Sequence, residues 1–378
     1  STRPMNLYKP LVKPFLFRMS ADQVHDWTIH TSSVLSNWTL ATSLLRRVYG
    51  YEDPALRQQI HGLTFPNPIG LAAGFDKNGL TVPLMQALGF GFVEIGSITA
   101  KPSPGNPKPR SFRLPDDRSI INRMGLNNEG VETVAKRLSK LQQVDIPLGI
   151  NIAKTHDASI QGEQALEDYR YSFDLVKPIA DYVTINISCP NTSDGKTFEQ
   201  PESLGELLDA LAVGKDASDP PVFVKVSADA DPDLLAELID VCEHHCIRGY
   251  VAVNTSSGRD HLSSDAAFVQ SCGRGGFEWK GDSGQKHQNY SFYSRKDERQ
   301  ENHRWRGGDF FGGGCDREAE GRRKFAADLH GARVRGAGSG EKNQSGHFTN
   351  ASRRGERACV SVGFGLMGLD SGRGCVPG

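Results

Sequence analysis

Isoleucine is absent from the end of this sequence, where the last one is Ile247 in a chain of 378 residues. From Gly273 to Gly378 the chain has three leucines and four valines, against 23 glycines and 14 arginines. So few large apolar side chains cannot form much of a packed core. We therefore expect residues 273–378 to be an aberrant, irregular tail, and residues 51–272 to hold the folded, enzyme-like part.

Other absences narrow the class of protein further. The formal net charge is −1, which gives no sign of a nucleic-acid partner, and acidic residues dilute the arginines of the tail. The seven cysteines form no Cys-x-x-Cys pair and no targeting segment is visible, so a reducing compartment is expected. No apolar run approaches the about 18 residues of a membrane span, and no cluster has metal-ligand spacing. We expect a soluble or peripheral protein that binds neither metal nor nucleic acid.

Two helical patterns occupy the N-terminal extension, residues 1–50. The first runs from Tyr8 to Phe17. The second starts at Ser20, which has Gln23 three residues later and so predicts a capping box. Basic and aromatic-rich helices of this kind suit a membrane surface or a lipid-like ligand. They equally suit a helix pair that packs on a neighbouring domain, so both interpretations stay open.

Six strand-then-helix units follow the extension. The predicted strands are residues 69–73, 92–98, 147–153, 182–187, 221–227 and 249–255. The predicted helices include 164–175, 204–211 and 232–245, and an earlier one that Asn127 or Asn128 caps and that ends near Leu141. This alternation predicts parallel strands joined by right-handed crossovers. The fold class is an α/β, (β/α)₈ TIM barrel with an N-terminal helical extension and with its last two strands missing or scrambled.

Polar side chains sit at or just beyond the predicted strand ends. They are Lys77, Ser97, Asn151, Asn186, Cys189, Lys225 and Asn254. In (β/α)₈ barrels the active site lies at the face formed by the carboxyl ends of the strands. Amides and lysines suit a planar ligand rich in carbonyls and amides, of which a flavin is one example, and a thiol beside it could act as a general base. The alternative is that Cys189 is a buried cysteine in an ordinary strand-to-loop turn.

Several motifs make the chain resemble a known family. They are Leu-Ala-Ala-Gly-Phe-Asp-Lys at 71–77, Pro-Gly-Asn at 104–106, Lys-Pro-Arg at 108–110, Asn-Arg-Met-Gly at 122–125, Asn-Ile-Ser-Cys-Pro-Asn-Thr at 186–192, Asn151, Lys225 and Asn254-Thr255. Residues 5–271 resemble the dihydroorotate dehydrogenases, the flavin enzymes of pyrimidine synthesis. The N-terminal helix pair resembles the quinone-dependent, membrane-associated class of that family.

The resemblance implies the cofactor, the substrates and their sites. FMN would be bound by Ala73, Gly74, Phe75, Asp76, Lys77, Ser97, Asn151, Asn186 and Lys225. Dihydroorotate would be held by Lys77, Asn122, Arg123, Met124, Gly125, Leu126, Asn186, Asn191, Asn254 and Thr255. Cys189 would remove the C5 proton while hydride passes from C6 to flavin N5, and a quinone would enter near His25 and Arg113. The enzyme would be a peripheral membrane protein at the cytoplasmic face, without a targeting peptide.

One departure from the family pattern concerns the electron acceptor. The quinone-dependent class usually has serine at the base position, whereas a cysteine such as Cys189 is typical of the soluble class. We favour a quinone, because the soluble class would lack residues 5–50. The same oxidation with fumarate or NAD stays open, and so does an inactive product, because six strands alone leave two open barrel edges.

A second departure concerns the tail. The family holds the FMN phosphate with a Gly-Val-Gly-Gly loop and a Tyr-Thr-Gly loop, and neither follows Ser271. If the second and third bases of each codon are read with the first base of the next, residues 305–311 can spell Gly-Val-Gly-Gly-Ile-Phe. Residues 317–337 can include Gln-Ile-Tyr-Thr-Gly in the same frame. We hypothesise a frameshift near residues 272–275, in the gene or in the sequence record.

Sequencing the DNA across codons 265–285 tests this hypothesis. We expect one base to be gained or lost near residues 272–275, after which the frame encodes both phosphate loops in order. An intact open frame that encodes the tail as written would contradict it.

Overall fold

The computed structural model describes residues 8–141, 144–188, 198–216, 218–259, 262–279, 290–294 and 359–362. The predictions for Cys189 and Asn191, and those for most of the tail, fall outside these residues. The helices are a π-helical turn Tyr8–Val12, α1 Lys13–Leu16, α2 Ala21–Ser36, α3 Thr39–Tyr49, a 3₁₀ turn Pro54–Leu56, α4 Val82–Ala87, α5 Val131–Leu138, α6 Glu163–Val176, α7 Pro201–Ala210, α8 Pro232–His244 and α9 Ala266–Ser271. The strands are β1 Gln58–Ile60, β2 Leu63–Phe65, β3 Gly70–Leu71, β4 Phe92–Ile98, β5 Ser111–Leu114, β6 Ser119–Asn122, β7 Leu148–Ile152, β8 Tyr182–Asn186, β9 Val222–Lys225, β10 Gly249–Ala252, β11 Gly276–Trp279, β12 Tyr290–Ser294 and β13 Cys359–Val362.

The six predicted strand–helix units form a curved parallel sheet. Its strands lie in the order β3, β4, β7, β8, β9, β10, and each pairs in parallel with the next. Every residue of β4, β7, β8, β9 and β10 is buried. Burial on both faces is the expected state of parallel strands, because helices cover one side and the opposite side faces the barrel interior. The predicted barrel class is confirmed for these strands.

The β1–β2 hairpin lies at the N-terminal end of the barrel strands. Its Phe65 packs edge-on against Phe92 at the start of β4, with ring centroids 5.5 Å apart. Tyr182 is the first residue of β8 and Phe223 is the second residue of β9. Both belong to the same buried cluster. This end of the barrel is therefore filled with large apolar side chains, and the polar chemistry is left to the other end.

The N-terminal helices begin as the sequence predicts. The Ser20 side chain accepts a hydrogen bond from the Gln23 backbone and the Gln23 side chain accepts one from the Ser20 backbone, which completes the predicted capping box of α2. Helix α3 has no counterpart in the prediction. The predicted cap at Asn127 or Asn128 is wrong, because α5 begins after Gly130, and Asn128 accepts hydrogen bonds from Thr99 N and Gly130 N instead.

Three segments of the tail form strands, namely β11, β12 and β13. The expectation of an irregular tail is wrong for these three segments. Strand β12 pairs antiparallel with β10, and β13 pairs antiparallel with β12 and meets β3 at Val362 and Gly70. Without β12 and β13, the two edge strands of the parallel sheet, β3 and β10, would have unpaired backbone N–H and C=O groups. Such an open edge can pair with any extended segment of the chain. These two strands close the barrel, and β12 runs antiparallel to both of its neighbours.

The close approach of β7 and β8 yields a stability prediction. A Cβ added at Gly149 would lie 2.1 Å from Cζ of the fully buried Tyr182 ring, so the Gly149→Ala chain must move that ring. Overpacking of this kind costs about 1–3 kcal/mol, which urea unfolding would detect.

Gly205→Ala is the matched control, because its added Cβ meets nothing closer than 3.8 Å on helix α7. Alanine is the better helix former there, so we expect a gain of about 0.5–1 kcal/mol. If Gly149→Ala were as stable as Gly205→Ala, the close contact between β7 and β8 would be contradicted.

Candidate active site

A chain of hydrogen bonds joins side chains that lie at or just beyond the carboxyl ends of four barrel strands. Ser97 Oγ donates to Asn151 Oδ1 over 2.5 Å, and Asn186 Nδ2 donates to Ser97 Oγ over 2.9 Å. Asn254 Nδ2 donates to Asn186 Oδ1 over 3.2 Å. All four side chains are buried. The structure thus brings together residues that the sequence places at the carboxyl ends of β4, β7, β8 and β10.

The Asn254 end of this chain is fixed by backbone groups. Asn254 Nδ2 also donates to Ser188 O, and Asn254 Oδ1 accepts a hydrogen bond from Thr255 N over 3.0 Å. Ser188 Oγ donates to Lys225 O over 3.2 Å, and Lys225 is the register partner of Asn186 across β8 and β9. We call the hydrogen-bonded side chains of Ser97, Asn151, Asn186 and Asn254 the amide chain. The buried Lys225 therefore lies at the same edge of the barrel as the amide chain.

The loop that follows β3 lies against the end of β4. Gly74 N donates to Gly96 O over 2.7 Å, and Gly96 N donates to Asp76 O over 3.0 Å. Lys77 Nζ donates to Gly74 O, and the Lys77 side chain is buried. Because Gly96 precedes Ser97, these bonds hold Ala73, Gly74, Phe75 and Lys77 beside the amide chain.

The Asp76 carboxylate is occupied by its own loop. It accepts hydrogen bonds from the backbone of Asn78, Leu80 and Thr81 and from the Thr81 hydroxyl, at 2.7–3.2 Å. Its side chain is fully buried. Asp76 therefore stabilises the loop that carries Lys77.

Asn106 holds the loop of residues 122–126. Its Nδ2 donates to Arg123 O over 2.9 Å and its backbone N donates to Met124 O over 3.0 Å. Gly125 and Leu126 both have positive φ, at 72° and 54°. His156 Nδ1 lies 2.9 Å from Gly125 O and contacts the same turn. The turn therefore has a defined backbone path, although Leu126 is in a conformation that non-glycine residues rarely adopt.

Strand β11 joins this loop to the amide chain. Gly276 is the register partner of Asn122, and Phe277 N donates to Ser256 O over 2.7 Å. A Cβ on Gly276 would lie 1.9 Å from Thr255 Oγ1, so only glycine permits this approach. Asn122 and Thr255 consequently lie on either side of one short strand.

His25 and Arg113 both lie where the N-terminal helices contact the rest of the chain, His25 against the loop after β3 and Arg113 on β5. His25 Nε2 lies 3.1 Å from Phe75 O, two residues before Lys77. Arg113 Nη1 donates to Met19 O over 2.7 Å, and its guanidinium lies 4.8 Å from the Phe17 ring centroid. The pKa of His25 is lowered chiefly by burial and then by the charge of Lys77, while contacts with Phe75 O and Asp26 oppose the shift.

The surface of the N-terminal helices is unusually apolar. Among the residues that the structure describes, twelve of the sixteen exposed large apolar ones lie between Leu11 and Tyr51, and a concentration of this kind marks an interaction surface. Leu40, Leu44 and Val48 are spaced four residues apart on α3 and are 74%, 64% and 65% exposed. No helix in the described part of the chain combines the length and hydropathy that a bilayer crossing requires.

Sequence reasoning missed four residues of the site, which are Glu94, Asn106, His156 and Ser188. Glu94 gives the clearest signal, because it is the one charged residue of β4. Asn106 stands in a motif already noted, but a motif does not say which backbone its amide holds. Ser188 also stands in a motif already noted, that of residues 186–192, which does not reveal its bond to Lys225 O. His156 gives no signal in the sequence, since its partner is a backbone carbonyl 31 residues away.

Comparisons with known proteins agree on one family. Residues 55–285 match the family model described as dihydroorotate dehydrogenase. A dihydroorotate dehydrogenase (quinone) of Synechococcus sp. strain JA-3-3Ab is 40% identical over 267 residues, covering 69% of this chain and 70% of that protein. One from Chloroflexus aurantiacus is 40% identical over 266 residues, covering 68% and 73%. A structure of the Eimeria tenella DHODH in complex with ferulenol is 32% identical, with a TM-score of 0.54 over 64% of this chain and 71% of that one.

The environment of His25 gives a pH prediction. Because its folded pKa lies below the usual value of 6.5, the unfolded chain takes up the proton first as the pH falls. The contribution of neutral His25 to stability is therefore fully present above the unfolded pKa of about 6.5 and is lost as the pH falls from there through the lower pKa of the folded state. The His25→Gln chain should lose this part of the pH dependence of unfolding by urea.

His244→Gln is the matched control, since His244 is exposed at the end of α8. The two variants are compared between about pH 5 and about pH 8. Equal changes in both pH profiles would contradict the burial of His25 against the Lys77 loop.

Proposed function

The chain belongs to the dihydroorotate dehydrogenase family, and from this premise we propose FMN as its flavin and Cys189 as its catalytic base. The protein is an oxidoreductase that converts dihydroorotate to orotate with a quinone as acceptor, in pyrimidine biosynthesis. The observation that carries the proposal is the hydrogen-bonded chain of Ser97, Asn151, Asn186 and Asn254 across four strand ends.

The polar groups at this edge fit a flavin ring. Asn151 Nδ2 donates one hydrogen to Glu94 Oε1, and Asn186 Nδ2 donates one to Ser97 Oγ. Each NH₂ group has a second hydrogen to donate, and the rim of the ring offers carbonyl acceptors. Lys77 and Lys225 bring positive charge to the same edge, which suits the anion of a reduced flavin. When bound, FMN accepts a hydride from the substrate. We assign only the ring site, because neither phosphate loop of the family follows Ser271.

We assign dihydroorotate to the space between the amide chain and the loop of residues 122–126. Asn122 and Thr255 flank β11, and Asn186 and Asn254 are hydrogen-bonded to each other. Their amides and hydroxyl suit the ring amides of the substrate, and Lys77 suits its carboxylate. Arg123, Met124, Gly125 and Leu126 supply backbone and shape to the same wall.

Cys189 directly follows Ser188, whose carbonyl accepts a hydrogen bond from Asn254. Cys189 and Asn191 lie outside the described residues, and their roles rest on the motif that they share with the family. A thiol has a lower pKa than a hydroxyl, so less free energy is needed to ionise it. The thiolate formed in this way can then take the proton from carbon.

We propose that the quinone arrives from a membrane at the cytoplasmic face and enters between the N-terminal helices and the barrel. The exposed apolar side chains of α1 to α3 suit the interfacial region of a bilayer. His25 on α2 contacts the loop of Lys77 through Phe75 O, and Arg113 on β5 donates a hydrogen bond to Met19 O between α1 and α2. A second candidate is the same oxidation with fumarate or NAD, which a cysteine at the base position favours.

Replacing the exposed apolar residues of α3, which are Leu40, Leu44 and Val48, tests whether the electron acceptor is a membrane quinone or a soluble molecule. In L40S/L44S/V48S the changed side chains are all exposed, so the fold should persist. Loss of about three buried apolar side chains from a membrane interface should weaken binding to phospholipid vesicles at least tenfold. The KM for a long-chain quinone should rise by a similar factor, while that for a short, water-soluble quinone stays unchanged.

Phe268→Ser is the control, because Phe268 is an exposed apolar residue on α9 and should affect neither measurement. Faster turnover with fumarate or NAD than with any quinone would contradict the proposed acceptor. Unchanged vesicle binding in the α3 variant would contradict the proposed membrane surface.

A further inference from the structure

Glu94 is a buried carboxylate for which the proposed reaction has no use. It lies on β4 inside the barrel and is 4% exposed. Its Oε1 accepts a hydrogen bond from Asn151 Nδ2 over 2.9 Å, and its Oε2 accepts from Thr184 Oγ1 over 3.1 Å and Tyr182 OH over 3.4 Å. Burying a carboxylate is costly unless its hydrogen bonds are made. The position therefore calls for a role that an apolar residue could not fill.

The contacts of Glu94 determine the direction of the amide chain. A carboxylate accepts hydrogen bonds and donates none, so Asn151 must turn its NH₂ group towards Glu94. Its oxygen then faces Ser97, and the single hydroxyl proton of Ser97 is donated to Asn151. The lone pairs of Ser97 are left for other donors, and Asn186 Nδ2 uses one of them.

The far end of the chain requires the same direction. Ser188 O can only accept and Thr255 N can only donate, and together they fix the amide of Asn254. Asn254 then donates to Asn186 Oδ1, which turns Asn186 Nδ2 towards Ser97. An amide of Asn151 turned the other way would present a second NH₂ to Ser97 and would leave the Ser97 proton without its partner.

We propose that Glu94 is a positioning residue that fixes the amide of Asn151 and thereby makes Ser97 offer its ligand a lone pair rather than a proton. The ligand group beside Ser97 must then be a hydrogen-bond donor, such as the ring N–H of a flavin, and this part rests on the proposed function. Glu94 itself acts only through Asn151 and Ser97.

Exchanging the acid and the amide tests the proposal. Asn151→Asp places two carboxylates where the partners were 2.9 Å apart, so one of them must hold a proton. In E94Q/N151D the introduced amide NH₂ can donate to the introduced carboxylate, while the amide oxygen still accepts from Thr184 and Tyr182. The carboxylate at position 151 then accepts from Ser97, which restores the original direction.

The first measurement is the melting temperature without any ligand, between about pH 8 and about pH 5.5. The paired acids raise one folded-state pKa in Asn151→Asp, so this chain should gain stability relative to wild type as the pH falls. E94Q/N151D again has one carboxylate paired with one amide, so it should lack this pH dependence and melt close to wild type at every pH. If Asn151→Asp fails to fold at high pH, recovery of folding in the double variant gives the same answer.

The second measurement is FMN affinity, followed by quenching of flavin fluorescence. At about pH 8 we expect Asn151→Asp to bind at least tenfold more weakly than wild type and E94Q/N151D to recover to within about threefold. The control is Asn67→Asp, a buried asparagine whose amide donates to Gly89 O, which E94Q should not rescue.

The outcomes separate this inference from the proposed function. If Asn151→Asp and E94Q/N151D melt alike at every pH, Glu94 does not set the direction of Asn151 and the inference is wrong. If the melting temperatures follow the expectation but wild type does not bind FMN, the positioning role of Glu94 stands and the assigned cofactor is wrong. Rescue of Asn67→Asp by E94Q would show a general effect of charge and would also overturn the inference.

Discussion

The requirement that buried polar groups be hydrogen-bonded shapes the functional end of this barrel. Ser97, Asn151, Asn186 and Asn254 are buried, and each would destabilise the fold if its partner were displaced. Because they come from four different strands, their bonds connect the ends of those strands to one another. The same bonds leave each amide with a defined face for a ligand, so stability and binding depend on one set of contacts.

Apolar side chains surround the polar strand ends on two sides, at the opposite end of the barrel and on the N-terminal helices. At the opposite end, the β1–β2 hairpin and the aromatic rings of Phe92, Tyr182 and Phe223 fill the barrel. On the outside, the N-terminal helices leave many apolar side chains exposed while His25 contacts the loop of Lys77. An apolar substrate that binds among those helices would therefore lie close to the polar edge without entering the barrel from the aqueous side.

The sequence predicted the parts of the fold that have a local cause. Strand β4, helix α6 and the capping box at Ser20 follow from apolar periodicity and from residues three apart, so their positions were found almost to the residue. The grouping of Asn151 and Asn254 followed from the rule that parallel strands end at one edge. Glu94 could not be found this way, since its partners lie 57 to 90 residues away. The pairing of β12 and β13 was equally hidden, because it depends on edges left open by other strands.

A reduction experiment without oxygen tests directly whether these strand ends hold a flavin against dihydroorotate. The full chain is mixed with FMN, freed of unbound flavin, and given dihydroorotate while the flavin absorbance is followed. We expect the yellow colour of bound flavin to fade on addition of dihydroorotate and to return on addition of a quinone. Flavin that stays oxidised in the presence of dihydroorotate, or a chain that retains no flavin, would contradict it.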